Sequence, residues 1–333
     1  MNDLAGKKVL FICPHFFGYE REIELELINL GAKVDYFNER PLTSSIAKIL
    51  NRLDFKFFLN KKINNYFDDI LIKAKNENYD FLLVVNPETM PVDFLKKLNV
   101  ACPEMHSVLY LWDSIKNKKN SFLLVDEFKR VVTFDRKDAD VNPRIEFLPL
   151  FYTRSYEYKI KEENNMSYNA AFIGTAHSDR YLFVKKVLAQ MPCSKDNYSF
   201  FYCPSKLLFI LKKVFTKELA GISWRNISFK SMATKDIISI LHDTDFVIDV
   251  EHPNQQGLTM RTIEMLGLQK KLITTNKNII DYDFYHPNNI CVVDRQNPKI
   301  NTVFLYSDYC TIDQGIRESY ALNSWLKKLL FKN

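Results

Sequence analysis

The sequence predicts an α/β protein made of two Rossmann-like, doubly wound domains. Three observations predict it. Short apolar runs rich in β-branched and aromatic residues recur without helical period, as strands buried in a parallel sheet require. Amphipathic segments with helical spacing alternate with them. The chain of 333 residues, 47% of them hydrophobic, is long enough for two cores of common size.

The elements follow in order. Lys8–Cys13 reads as a buried strand, and Tyr19–Leu30 as an amphipathic helix closed by Gly31 as its C-cap. Lys33–Phe37 is the next strand. Helix Phe57–Asn76, strand Phe81–Val85, helix Pro91–Leu98 and strands His106–Trp112 and Arg130–Phe134 complete the first half. Pro149–Ser167, charged and polar from Tyr156 onward, reads as a linker. Beyond it come strand Asn169–Gly174, a turn over Thr175–Ser178, helix Asp179–Gln190, a strand-like Tyr198–Tyr202 and helix Thr234–His242. Strand Asp245–Val250, helix Met260–Leu268 and strand Lys271–Thr275 follow, and Gly315–Phe331 reads as a terminal helix. The expected organisation is an N-terminal domain over 1–155, a second over 168–312, and a C-terminal helix over 313–333 that packs back toward the first.

Composition narrows the function. The net charge of +6 comes from lysines scattered among acids, so no nucleic acid is indicated, whereas an anionic substrate or membrane surface fits. Six widely spaced cysteines without a CxxC pair, no signal peptide and no run long enough to span a bilayer point to the cytoplasm. The first strand is followed by Gly18 alone, without the GxGxxG of a hydride-transfer cofactor site.

The most informative segment runs from Glu251 to Gly267. After the Asp245–Val250 strand, Pro253, Asn254 and Gly257 break regular structure, and Thr259 is placed to cap the helix that begins at Met260. Free N–H groups and the helix dipole favour an anion there, Gly257 admits it to the backbone, and Arg261 offers a forked donor for phosphate. Glu264 lies one turn further on nearly the same face, where a carboxylate can accept from ribose hydroxyls; the alternative is a helix-surface ion pair with Arg261.

Phe172–Thr175, read as a glycine turn after the first strand of the second half, together with Gly257, Arg261 and Glu264 near its end, resembles the GT-B glycosyltransferases. Val132–Ala139, Phe147–Tyr152 and Gln256–Glu264 are similar to bacterial glycosyltransferases of lipopolysaccharide and capsule biosynthesis, including CgeB-like relatives. The resemblance implies a cleft between the halves, with a nucleotide-sugar held by the second and the acceptor by the first. It places Glu264 on the donor ribose and Gly257, Leu258, Thr259 and Arg261 on the diphosphate. Retaining members carry a further glutamate seven residues before the ribose glutamate; Gly257 stands there here, which leaves the stereochemistry open. It implies no resident cofactor, and a donor linked to UDP, GDP, dTDP or CMP.

Glycosyl transfer needs charge stabilisation at the leaving diphosphate and a base for the acceptor hydroxyl. Candidates for the base follow strand ends of the first half: His15, Glu20 and Asp113. Glu88 also lies there, and Gly18 and Tyr19 could approach the donor phosphates. The plainer readings are a dipole-stabilised acid for Glu20, a cap for Asp113, a backbone-bonded loop residue for His15 and a turn for Gly18. In the second half Gly174, Thr175, Arg180 and His177 are candidates for the donor, unless Asp179 caps its helix and Arg180 faces solvent. Lys230 is a further cation at a strand end, and His252 within the main segment outranks His242. Asp138–Ala139–Asp140 spells DxD but lies in a segment read as a helix or loop, so the site is expected to work without a metal. Ser205–Phe215 and Trp325–Lys332 mix apolar and basic residues; exposed, they would rest on an anionic inner membrane carrying a lipid-linked glycan acceptor, and packed, they are core helices. The expected activity is a glycosyltransferase extending a bacterial surface glycan such as lipopolysaccharide, O-antigen or capsule. The alternatives are a nucleotide-sugar epimerase of this fold and a non-catalytic nucleotide-binding subunit.

Overall fold

The computed structural model describes residues 3–41, 60–115, 122–158, 167–192, 194–215, 219, 221–252 and 256–331. The chain divides into two compact units, Met1–Pro149 with Leu322–Asn333, and Leu150–Ala321.

The first unit contains β1 (Lys8–Cys13), α1 (Tyr19–Asn29), β2 (Lys33–Asn38), α2 (Asn60–Glu77), β3 (Phe81–Val85), α3 (Val92–Ala101), β4 (His106–Leu111), β5 (Arg130–Thr133), α4 (Arg136–Val141) and β6 (Ile145–Phe147). Its sheet is parallel in the order β2-β1-β3-β4-β5-β6. β3 is buried along its whole length, as a central parallel strand must be, and Leu82, Val84 and Leu109 pack on Phe67 and Phe94 of the helices. The start expected for α2 at Phe57 lies outside the described residues. β6 is a further strand of three residues at the sheet edge, too short to leave a periodic signal.

The second unit contains β7 (Tyr168–Thr175), α5 (Arg180–Leu188), β8 (Asp196–Tyr202), α6 (Lys206–Phe215), α7 (Thr234–His242), β9 (Thr244–Asp249), α8 (Met260–Leu268), β10 (Lys271–Thr274), β11 (Ile290–Val292), α9 (Thr302–Tyr306) and α10 (Gln314–Ser319). Its parallel sheet has the order β11-β10-β9-β7-β8. Read from β7, this is the winding of the first unit. In each, the direction of winding reverses between the first and third strands, and the crevice beyond their carboxyl ends is where such sheets bind ligands.

Three expectations need correction. Gly174 is not a turn residue: it pairs with Phe201 inside β7, and a Cβ there would come 2.9 Å from the Phe172 ring, so glycine makes room for that ring. The segment after Pro149 is packed over its described part, with Phe151, Tyr152 and Tyr156 buried and the Tyr158 N–H donating to the Gly267 carbonyl at 2.9 Å; residues 159–166 lie outside the described residues. The terminal helix is two helices, α10 and α11 (Leu322–Leu330), because the Tyr320 carbonyl accepts the Tyr152 N–H at 3.0 Å in place of a helical donor.

α11 belongs to the first unit. Leu322, Trp325, Leu326, Leu329 and Leu330 are buried, and Trp325 stands edge-on to Tyr110 at 4.7 Å. The Arg130 guanidinium donates to the carbonyls of Lys328 and Leu329 at 2.8 and 2.9 Å, closing the helix end with a cation where its dipole is negative. The described part of Trp325–Lys332 is therefore a core helix and not a membrane face.

Candidate functional site

In the second unit, polar groups converge beyond β7 and β9. Thr259 caps α8 by accepting from the Thr262 N–H at 3.2 Å, and its hydroxyl donates to Asp249 at the end of β9. Thr262 donates to the same carboxylate oxygen at 2.8 Å. Asp249 thus locks the helix start onto the strand end. The loop before the cap is held from β10: Asn276 Nδ2 donates to the carbonyls of Gln256 and Gly257 at 3.2 and 3.3 Å. Leu258 is buried, so its side chain anchors this turn and only its backbone is available to a ligand. Pro253 and Asn254 lie outside the described residues.

Cations gather around this helix start. Arg180, the first residue of α5, turns inward and donates to the Thr175 carbonyl at 3.1 Å, while its buried Nε makes no hydrogen bond. Burial pulls its pKa down, and the charges of Asp249, Glu251 and Asp179 act in the opposite sense. Arg295, just past β11, grips Asp179 with two nitrogens at 2.7 and 2.9 Å and donates to the Glu251 carbonyl at 3.0 Å. Asp179 is therefore the partner of Arg295 and makes no side-chain cap on α5. The rings of His177 and His252 lie 5.5 Å apart. Burial, then the charges of Arg180, His252, Lys212 and Arg295, push the His177 imidazole down to about 3, so it is neutral at neutral pH. The neutral state of His177 follows mainly from its burial, with the neighbouring cations acting in the same direction.

Arg261 and Glu264 form a pair at 2.8 Å, but not a surface one: the Glu264 side chain is 2% exposed and that of Arg261 17%. Tyr156 bonds to both, and burial with the Glu264 charge raises its phenol. Lys230 is exposed, its backbone tied to the Ser228 hydroxyl at 3.2 Å, and stands apart from these groups in the hydrogen-bond pattern.

In the first unit His15 and Glu20 are brought together. His15 Nδ1 lies 3.0 Å from one Glu20 oxygen, and the other accepts the Phe16 N–H at 3.0 Å. The Tyr36 hydroxyl approaches the same ring nitrogen at 3.4 Å. The His15 side chain is 60% exposed and Glu20 12%, so an oriented imidazole presents its other nitrogen outward. Gly18 has φ +87°, a conformation that favours glycine, and starts α1. Phe17 beside it has φ +52° and is largely exposed, and Phe16 packs against Phe17, Tyr19 and Trp112 with ring centres 4.8, 6.3 and 5.3 Å away. Asp113 follows Trp112 in this group of loops.

Glu88 instead pairs with Arg40 at 2.8 Å. Its loop is organised by Glu39, a buried acid whose Oε1 accepts the N–H groups of Glu88 at 2.7 Å, Met90 at 2.9 Å and Thr89. Burial pushes Glu39 up to about 7 despite those three donors.

The sequence reading missed Asp249, Arg295, Tyr156 and Glu39. An acid closing an apolar strand was a usable signal for Asp249 and Glu39. Arg295 and Tyr156 are distant in sequence from the groups they touch and had none. Asp138–Ala139–Asp140 lies within α4, where Asp138 accepts the Ile115 N–H at 2.8 Å. Among the described residues no group of three acids, histidines or cysteines is arranged to hold a metal ion.

No protein-family model matches the chain, and no curated protein matches it. Solved structures match in fold. HepE of Anabaena, in complex with UDP and glucose, gives a TM-score of 0.60 at 10% identity over 98% of this chain and 100% of its own. A glycosyltransferase from Rickettsia africae gives 0.57 at 15% identity, over 98% and 99% of the two chains. Sucrose-phosphate synthase from Thermosynechococcus elongatus gives 0.54 at 7% identity, over 97% and 95%. At these identities the likeness establishes the fold, two Rossmann-like units of the GT-B class.

Proposed function

We propose that the chain transfers a sugar from a nucleotide diphosphate donor, bound by the second unit, to an acceptor hydroxyl bound by the first. The observation that carries this reading is the gathering of Arg180, Arg295, His177 and His252 at the β7/β9 switch point, beside the capped start of α8. It is a preformed anion site of the kind a leaving diphosphate needs. HepE, which shares the fold, is in complex with UDP-glucose in one crystal structure, which supports a UDP-linked donor as the first to test. The resemblance supports Glu264 as the ribose contact, Gly257, Leu258, Thr259 and Arg261 as diphosphate contacts, and a growing bacterial surface glycan as the acceptor.

In this reading His15 removes the proton of the acceptor hydroxyl through its outward nitrogen, and Glu20 fixes the tautomer from the other side. The acceptor oxygen forms its bond to the anomeric carbon as the bond to the diphosphate breaks. The negative charge that develops on the diphosphate is met by the α8 N-terminus and the arginines, so the cations supply the role of a metal. A base acting directly on the acceptor supports a single displacement with inversion.

Calorimetric titration with UDP, GDP, dTDP and CMP tests the donor site. One of them is expected to bind, and Glu264→Gln to weaken it about tenfold through the lost charge-assisted hydrogen bond to ribose. Failure of UDP, GDP and dTDP all to bind sinks the reading, since CMP alone would mean a monophosphate leaving group. Conversion of the sugar nucleotide without an acceptor would replace transfer by epimerisation.

A further inference from the structure

Helix α6 carries its apolar stripe outward. Leu207, Ile210, Leu211, Val214 and Phe215 are 65%, 45%, 43%, 68% and 78% exposed, and Phe209 is the one buried residue of the helix. Their spacing places the five on a single face. A core-packed helix with this composition turns the stripe to its sheet, as α11 does with Trp325, Leu326 and Leu329. On α6 the arrangement is reversed. Trp224 packs on Phe209, on the buried side of the helix, at 4.8 Å and remains 48% exposed.

The surrounding charge is of one sign. The sequence from Ser199 to Lys235 holds seven basic residues and one acid, Glu218. Lys206, Arg225 and Lys230 are exposed, the Lys213 ammonium donates to the Ile222 carbonyl at 2.8 Å, and α6 itself carries no acid. An outward apolar stripe on a helix that carries lysines and no acid is the pattern of a helix lying in a bilayer interface. The stripe enters the acyl boundary while the lysines reach the headgroup phosphates. No helix among the described residues is long and apolar enough to cross a membrane, so such a contact lies in the plane of the surface. A second copy of the chain fits less well, because a symmetric contact through this face would bring two basic clusters together.

We infer that α6 seats the chain on an anionic lipid surface. This contact is independent of the sugar-transfer reading, and it would bring a lipid-anchored acceptor to the protein. The test is flotation of the full chain with phosphatidylcholine vesicles, with and without phosphatidylglycerol, at low and high salt. The chain is expected to float with the anionic vesicles, more weakly at high salt and with neutral ones. The double variants Val214→Gln/Phe215→Gln and Leu207→Gln/Leu211→Gln, checked for unchanged melting, are expected to bind these vesicles at least about tenfold more weakly. Absence of the wild-type chain from the anionic vesicle fraction overturns the inference, as does equal flotation of the variants. So does a wild-type dimer that the substitutions dissociate and that never floats, which would assign the face to a second copy.

Discussion

His15 shows how a role emerges only when two residues meet. An exposed loop histidine is an ordinary surface group, and an acid in the first helical turn is explained by the dipole. With Glu20 at 3.0 Å, one nitrogen of the ring is held, and the proposed reaction uses the other. In the proposed reaction His15→Ala is expected to lower kcat by about 10²–10⁴, the contribution of a positioned base. Glu20→Gln should lower kcat by less, since the base remains and only its orientation suffers. Both should leave nucleotide affinity unchanged in a titration. Full turnover in His15→Ala would remove the residue from the mechanism. Beside the pair, Phe17 adopts a left-handed conformation that costs a non-glycine residue roughly 1–2 kcal/mol, and the Phe16 cluster lines the same loops.

At the scale of elements, α8 is fixed from three directions. Asp249 and Thr259 hold its start, Arg261 and Glu264 pair beneath Tyr156, and Gly267 admits the Tyr152–Tyr156 segment to its back. A Cβ at Gly267 would lie 2.5 Å from the Tyr156 carbonyl oxygen and 2.7 Å from the Tyr152 ring. In an exposed helix Gly→Ala gains about 1 kcal/mol from propensity. Here Gly267→Ala is expected to destabilise by about 1–3 kcal/mol, since the obstacle includes backbone that cannot rotate away. A urea midpoint equal to the wild type would contradict that packing. The Thr259 cap was legible in the sequence because capping is local. The burial of the Arg261–Glu264 pair was not, since the tyrosine that covers it lies more than a hundred residues earlier.

Across the whole molecule, two buried groups give the units opposite responses to acid. His177 has an ordinary value of 6.5 and is held at about 3 in the fold, so the unfolded chain binds its proton first. Its contribution is complete above 6.5 and is lost as pH falls toward 3. Glu39 rises from 4.5 to about 7, so the folded state keeps the proton longer. That contribution is complete below 4.5 and is lost as pH rises through 7. Denaturation at pH 5 and pH 8 is expected to show less acid loss in His177→Gln than in wild type, and less alkaline loss in Glu39→Gln. Unaltered pH dependence in either variant would contradict its burial.

The sequence by itself determined the two α/β units, most strand and helix positions and the α8 cap, because these follow from periodicity and from contacts a few residues apart. It also singled out His15, Glu20, Arg180, Arg261 and Glu264 by their places at strand and helix ends. Only the tertiary structure decided which of them meet. It joined His15 to Glu20, turned Arg180 inward toward Asp249 and gave Asp179 to Arg295. It also separated two helices of like composition: α11 is buried because Tyr110 and Arg130 receive it, and α6 is exposed because only Phe209 and the half-buried Leu208 reach the core. Spacing shows that a helix has an apolar face. Whether that face meets a sheet or the surroundings depends on residues far away in the chain.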